Sequence, residues 1–439
     1  MVRQSDLQLV RQDRSGHLAC HSLQDRRLCP NHPWKVKPLR TLSNIFFSLL
    51  FSSTLLQGNP KLLQQIEQLS DLTNAPKMHL VKGSKSLDNP RAIFFDALPW
   101  KGKSTRAYGW LGMPKSNGSK VPAVVLVHGG GGSAFKEWVE RWNEQGFAAI
   151  SIAVEGQTDR KVDNDDGKKI WHRHPWAGPS RVGIFGDSDE PLTDQWMYHA
   201  VSQTILAHTL MRTLPEVDSS KVGLMGVSWG GIITSIVMGI DSRFAFAIPV
   251  YGCGYLNEAD NHYKGALENN SDYLNGWEAG LRLTKAKMPS LWFSWPGDKH
   301  FPMEILKKSY LKQTGPNVVS LVPDMGHGHR PAWSRPESYA FAREIVNSGE
   351  TWCQHLSSGV LDKQAYARFK TSRSLDQALL VHSTETGFTG NRKWIQTPIR
   401  LTQKNDIWLA DWPLPKGTTG WFINVEADGL IVSSHYHEE

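Results

Sequence analysis

A serine hydroxyl becomes a nucleophile only when the chain exposes it and supplies a base. The stretch Gly226-Val227-Ser228-Trp229-Gly230 has the spacing for the first condition. An apolar run over 222–227 reads as a buried strand, and 232–238 as an apolar helical segment. Strand, G-x-S-x-G and helix together predict a nucleophile elbow. Such a turn is too sharp for side chains two positions before and two after the serine, so both are glycine. The N–H of Trp229, at the helix N-terminus, is then expected to face a developing oxyanion. This pattern favours a catalytic serine over one that merely caps the helix.

The base needs an orienting carboxylate, and in an elbow fold the chain order is serine, acid, histidine, each on a loop after a strand. A strand over 290–295 runs into Pro296-Gly297-Asp298-Lys299-His300, which makes Asp298 the expected acid. Its rival reading is a cap for the helix after Pro302, with Asp324 as the substitute acid. A strand over 318–322 is stopped by Pro323, and the loop beyond reads Asp324-Met325-Gly326-His327-Gly328-His329. His327 is the favoured base, with His329 and His300 as second choices. The other oxyanion donor is expected near Gly130, in His128-Gly129-Gly130-Gly131-Gly132 after a β-branched run over 123–127. A phosphate cradle is the competing use of such glycines, but G-x-G-x-x-G, its ribose acid and the P-loop Lys-Ser/Thr pair are missing.

These loops need a frame. Unbroken apolar strands over 123–127, 147–154, 222–227, 244–251, 290–295 and 318–322 alternate with helices over 135–145, 194–214, 304–312 and 336–347. That alternation predicts an α/β fold with a doubly wound, mostly parallel sheet. A short helix over 62–69 and antiparallel strands over 91–98 and 105–112 precede it. Residues 155–193 read as a long polar loop, and 254–287 as polar helical cover over the sheet edge. From about 353 the pattern becomes short strands over 377–383, 395–402, 406–412, 421–426 and 430–434, which predicts a small antiparallel β-sandwich. The expected organisation is a basic tail and signal-like segment (1–58), a catalytic domain (59–350) and a sandwich (353–439).

The net charge of +7 is concentrated in residues 1–40, where eight Lys/Arg face three Asp/Glu. The remainder is near balance, which argues against a nucleic-acid partner. The tail leads into an apolar stretch over 42–56 that reads as a secretory h-region, predicting a secreted or periplasmic protein with no stable membrane span once the signal is removed. An N-terminal anchor or a buried helix is the other reading. Cys20 and Cys29 would leave with that segment. Cys253 and Cys353 are expected as buried free thiols, although an oxidising compartment would permit a bridge. No Cys/His spacing suggests a metal site, and the chemistry requires no cofactor. Eighteen tryptophans include Trp171 and Trp176 in the long loop, where flat rings could stack on a sugar. With His329 they are the expected substrate contacts.

Over about residues 95–348 the chain resembles the α/β-hydrolase superfamily. Within it the likeness is to secreted bacterial acetyl xylan esterase-like and dienelactone hydrolase-like proteins, themselves related to the prolyl oligopeptidase catalytic domain. The phrases that carry it run from Val127 through the glycines to Phe135, Asp194-Gln195-Trp196, Gly226 to Gly231, and Val250 to Gly254. The resemblance implies hydrolysis of acyl esters, with acetyl groups on polysaccharide among the expected substrates. The chain departs from the cephalosporin deacetylase branch, which has R-G-Q-G and a glutamine after the nucleophile; here Glu155-Gly156-Gln157 and Trp229 stand in those places. Two alternatives are an oligopeptidase-like serine peptidase, for which no propeller-sized region precedes the catalytic part, and a non-catalytic carbohydrate-binding protein on a hydrolase scaffold.

Overall fold

A computed structural model describes residues 58–439. The signal-like segment, Cys20 and Cys29 lie outside the described residues, apart from Gly58 at the segment's end. Helix α1 (Pro60–Glu67) is capped by Asn59, whose side chain accepts from the N–H groups of Lys61 and Leu62. Strand β1 (Met78–Leu80) then begins a nine-stranded sheet. Strands β2 (Arg91–Trp100) and β3 (Lys103–Gly112) form the expected antiparallel pair. They are followed by β4 (Val121–Val127), helix α2 (Lys136–Glu144) and β5 (Ala148–Ala153). Trp138, Val139 and Trp142 put one face of α2 into the core, as a 3.6-residue period dictates.

The region expected as a long loop instead contains a hairpin, β6 (Gln157–Asp163) and β7 (Lys169–Arg173). Its sequence, QTDRKVD against KIWHR, has no apolar face because the ribbon is largely solvated on both sides. Hydrophobic periodicity therefore gave no strand signal. Helix α3 (Trp196–Thr213) leads to β8 (Val217–Val227), longer than expected because pairing of Val217 with Val121 extends it backward. After α4 (Trp229–Val237) come β9 (Ala247–Val250), α5 (His262–Leu267), β10 (Ser290–Ser294), α6 (Met303–Lys312), β11 (Asn317–Leu321), α7 (His329–Ser334) and α8 (Glu337–Ser348). Residues 254–287 are not simply polar cover. Leu256, Tyr263, Leu267, Tyr273 and Trp277 are buried there.

The strand order is β1-β2-β3-β5-β4-β8-β9-β10-β11. From β5 to β11 all neighbours are parallel, and β1, β2 and β3 add an antiparallel edge. Strands β4, β5 and β8 to β11 are buried almost throughout, which is why each reads as a continuous apolar run. This is the doubly wound, mostly parallel α/β architecture, in which sites form at the carboxyl ends of the strands.

The C-terminal strands are β12 (Gln354–Leu361), β13 (Gln364–Lys370), β14 (Gln377–Ser383), β15 (Ile395–Pro398), β16 (Arg400–Lys404), β17 (Ile407–Pro413), β18 (Gly420–Ala427), β19 (Leu430–Ser433) and β20 (His437–Glu438). They form two antiparallel sheets, β12-β13-β17-β16 and β15-β14-β18-β19 with β20 beside β18. The run expected as one strand over 395–402 divides between both sheets, breaking at Ile399. Backbone groups of β11 bond directly to this region. Leu321 N–H donates to Ser433 Oγ (2.8 Å), and Leu321 O accepts from Asn424 Nδ2 (2.9 Å). Cys253 and Cys353 are buried free thiols.

Candidate active site

Ser228 sits between β8 and α4 with φ 58° and ψ −114°, a conformation costing roughly 1–3 kcal/mol for a non-glycine residue. The surroundings force it. Ser228 N–H donates to Val250 O (2.9 Å), and Ile232 N–H to Ser228 O (2.9 Å). A Cβ on Gly226 would lie 2.0 Å from Gly230 O, and one on Gly230 2.1 Å from Val127 O. Both glycines are therefore required by contact distance.

Ser228 Oγ lies 3.0 Å from His327 Nε2, and His327 Nδ1 lies 2.8 Å from Asp298 Oδ2. Since ionised Asp298 can only accept, Nδ1 carries the proton, leaving Nε2 to accept from the serine hydroxyl. Buried Asp298 also accepts on Oδ1 from the N–H groups of His300 and Phe301, and on Oδ2 from Trp295 Nε1 (3.2 Å). These bonds lie in the turn before α6, whose N-cap is Pro302 with no side-chain cap, so the helix-capping role weighed as its rival is not the one Asp298 plays. Tyr251 packs its ring 4.5 Å from that of His327 and donates its hydroxyl to Gly326 O (2.9 Å). It thereby holds the histidine and its loop together.

The strand order accounts for the assembly. Because β4 and β8 are neighbours, the glycine loop lies beside the elbow, while β10 and β11 deliver Asp298 and His327 from the same sheet end. Buried His128 donates from Nδ1 to Gly129 O (2.7 Å) and accepts at Nε2 from Val154 N–H (3.1 Å). Burial lowers its pKa to about 4, so the ring is neutral. Gln157 Nε2 donates to Gly132 O (3.0 Å). Among the described residues, neither Gly130 N–H nor Trp229 N–H has a hydrogen-bond acceptor.

The remaining candidates divide. His329 accepts at Nε2 from Gly129 N–H (2.8 Å), and burial lowers its pKa to about 3. It is a neutral strut for the glycine loop rather than a substrate contact or base, because its accepting nitrogen is already used. Trp171 donates Nε1 to Gly131 O (2.8 Å), so it too steadies this loop from the hairpin. Trp176 is not brought to the serine. It packs against Phe94 and beneath the Arg106 guanidinium at 4.6 Å, lining a groove of about 820 Å³ with Tyr108 and Asp159. That groove contains none of Ser228, Asp298 or His327. Asp324 is exposed, with its carboxylate 3.4 Å from Gln396 Nε2, and does not bond His327. The His300 ring flanks that of His327 at 4.7 Å but does not bond the serine. Among the described residues, no three His, Cys, Asp or Glu side chains gather as a metal site would require.

Sequence reasoning missed Tyr251, Tyr263 and Arg181. Tyr263 packs between Trp229 (6.1 Å) and Phe301 (5.4 Å), and Phe301 stacks on His327 (6.0 Å). Arg181 places its guanidinium 4.7 Å over the Trp229 ring. Tyr251 lies within the phrase Val250 to Gly254 that carried the resemblance, but its contact with His327 was not foreseen, and nothing local marks Tyr263 or Arg181, which reach the site through tertiary folding.

An α/β sheet with the elbow, glycine loop, acid and histidine at the carboxyl ends of its strands is the α/β-hydrolase fold with the geometry of a serine hydrolase. Within that class it is acetyl xylan esterase-like: residues 68–282 match the acetyl xylan esterase (AXE1) family model. Acetyl esterase Axe7A of Xylanibacter ruminicola is 25% identical over 226 residues, covering 50% of this chain and 49% of that protein. The chain thus spans about half the length of this curated relative. The acetyl xylan esterase of Paenibacillus sp. R4 is 20% identical, with a TM-score of 0.49 over 63% of this chain and 92% of that one. Acetyl xylan esterase 1 of Thermoanaerobacterium sp. JW/SL YS485 is 18% identical, with a TM-score of 0.48 over 63% and 90%.

Proposed function

We propose that the protein is a serine esterase that hydrolyses acyl esters, acetyl esters foremost, through an acyl-enzyme on Ser228. The observation that carries this is the unbroken chain Ser228 Oγ, His327 Nε2 and Nδ1, Asp298 Oδ2, with spacings of 3.0 and 2.8 Å. Ser228 Oγ bonds to the ester carbonyl carbon while its proton passes to His327 Nε2. Asp298 stabilises the resulting imidazolium, and the N–H groups of Trp229 and Gly130 receive the oxyanion. As the carbonyl re-forms, the bond to the alcohol oxygen breaks and that oxygen takes the proton from His327. Water then repeats the sequence on the acyl-enzyme, with His327 as base, and releases the acid and free Ser228.

The family match and the acetyl esterase relative support acetyl as the acyl group, and acetylated carbohydrate as the natural substrate class. The basic and apolar N-terminal pattern supports export to the periplasm or medium. The direct test is hydrolysis of p-nitrophenyl acetate by wild type and Ser228→Ala. A loss of at least about 10³-fold is expected in the variant. Equal rates in the two proteins would overturn the assignment.

A further inference from the structure

Arg181 packs against both residues that carry the free N–H groups, without having been placed there by any motif. Its guanidinium carbon lies 4.7 Å from the centre of the Trp229 indole, the residue whose N–H is one of those donors. A Cβ on Gly130, the other donor, would lie 3.5 Å from Arg181 Nη2. The rest of the side chain is fastened. Nη1 donates to Gly183 O (2.6 Å), and Nε reaches Glu155 Oε1 only at 3.4 Å. Nη2 has no acceptor among the described residues, and the side chain is 23% exposed. A planar cation is thus held by an aromatic face, a carbonyl and a long carboxylate contact, with its free arm directed along the wall shared by Gly130 and Trp229.

We propose that Arg181 is an electrostatic partner of the oxyanion site, stabilising the negative charge that develops on the substrate carbonyl oxygen. The inference rests on the esterase reading above. When Ser228 Oγ bonds to the carbonyl carbon and its proton moves to His327, one full charge appears on the carbonyl oxygen. Two backbone N–H dipoles receive it directly, and Arg181 adds a fixed charge in a setting of low polarity. Phe185, Trp196 and Tyr263 pack there with ring centres 5.5–6.1 Å from the Trp229 indole. The guanidinium suits this role because it cannot lose its proton and is pre-organised by stacking. The charge is absent from the ground-state ester, so the effect falls on turnover rather than on substrate binding.

The test is steady-state hydrolysis of p-nitrophenyl acetate by the full chain as wild type, Ser228→Ala, Arg181→Gln, Arg181→Lys and Arg181→Ala. For Arg181→Gln, kcat is expected to fall about 10- to 100-fold, with KM changed by less than about 2-fold. Arg181→Lys should recover part of this loss, and free guanidinium ion should restore part of kcat to Arg181→Ala. Unchanged kcat, or an effect confined to KM, overturns the inference. So does a loss that neither lysine nor guanidinium recovers and that follows a lowered Tm, since that marks a strap between Glu155 and Gly183. The Ser228→Ala arm separates the two readings. Turnover that ignores Ser228 overturns the esterase itself, whereas Ser228-dependent turnover indifferent to Arg181 overturns only the oxyanion role.

Discussion

Two histidines that hydrogen-bond residues of the glycine loop, His128 and His329, are kept neutral by burial, and the loop depends on that neutrality. Gly129 N–H needs the lone pair of His329 Nε2, and Val154 N–H needs that of His128 Nε2. Protonation would set two donors face to face. The folded pKa values, about 3 for His329 and about 4 for His128, lie below the ordinary value of 6.5. Between these limits the unfolded chain binds more protons than the folded one, so stability rises with pH and is lost as pH falls from about 6.5 toward 4. Urea midpoints measured at pH 7 and pH 5 should show this loss. His329→Gln retains an oxygen acceptor and cannot titrate, so below about pH 6.5 it should flatten the profile by up to about 1.4 kcal/mol per unit of pH, one proton's worth. A profile identical to wild type would contradict the strut role.

At the scale of elements, the elbow is the most constrained piece of the chain. Gly226 has no room for a methyl group because Gly230 O and the carbonyl carbon behind it stand 2.0 and 2.3 Å from the Cβ position. Backbone cannot rotate aside as a side chain can. Gly226→Ala is therefore expected to destabilise the protein by about 3 kcal/mol or more, read as a lower urea midpoint. The same constraint made the elbow legible in the sequence, as did the apolar runs of β4, β8, β10 and β11, which are buried on both faces. The β6–β7 hairpin was illegible for the opposite reason. It exposes both faces, so no period is imposed on it, yet its Trp171 reaches across 40 residues to hold Gly131 O. Helix α7 was missed because its six residues, HRPAWS, are too short for a periodic pattern and carry a proline.

Across the whole molecule, the C-terminal sheets do more than adjoin the hydrolase fold. A Cβ on Gly390 would lie 2.4 Å from Asp298 O, so the loop before β15 presses directly on the backbone of the acid. Next to it, Thr389 Oγ1 accepts from Met303 N–H (3.0 Å) and donates to Glu304 Oε2 (2.8 Å), holding the start of α6. With the bonds of Ser433 and Asn424 to Leu321, the sandwich braces the ends of both strands that lead to Asp298 and His327. Gly390→Ala is expected to displace the acid, lowering kcat about 10-fold or more while KM changes little. Wild-type kcat in this variant would show that the contact is structural only.

The sequence alone marked the elbow serine, the acid and the histidine-bearing loop that the structure brings together. A sharp turn demands glycines at fixed offsets, parallel strands buried on both faces demand unbroken apolar runs, and each catalytic side chain follows directly after such a run. These are local requirements, and local requirements leave local marks. Only the tertiary structure decided that His327 rather than His329 meets Ser228, that Trp176 belongs to another groove, and that Arg181 stands over Trp229. It also decided that the sandwich supports the acid. Those outcomes depend on strand order and on side chains meeting across long stretches of chain, 99 residues for Ser228 and His327. Packing at that range selects among residues whose immediate sequences look alike.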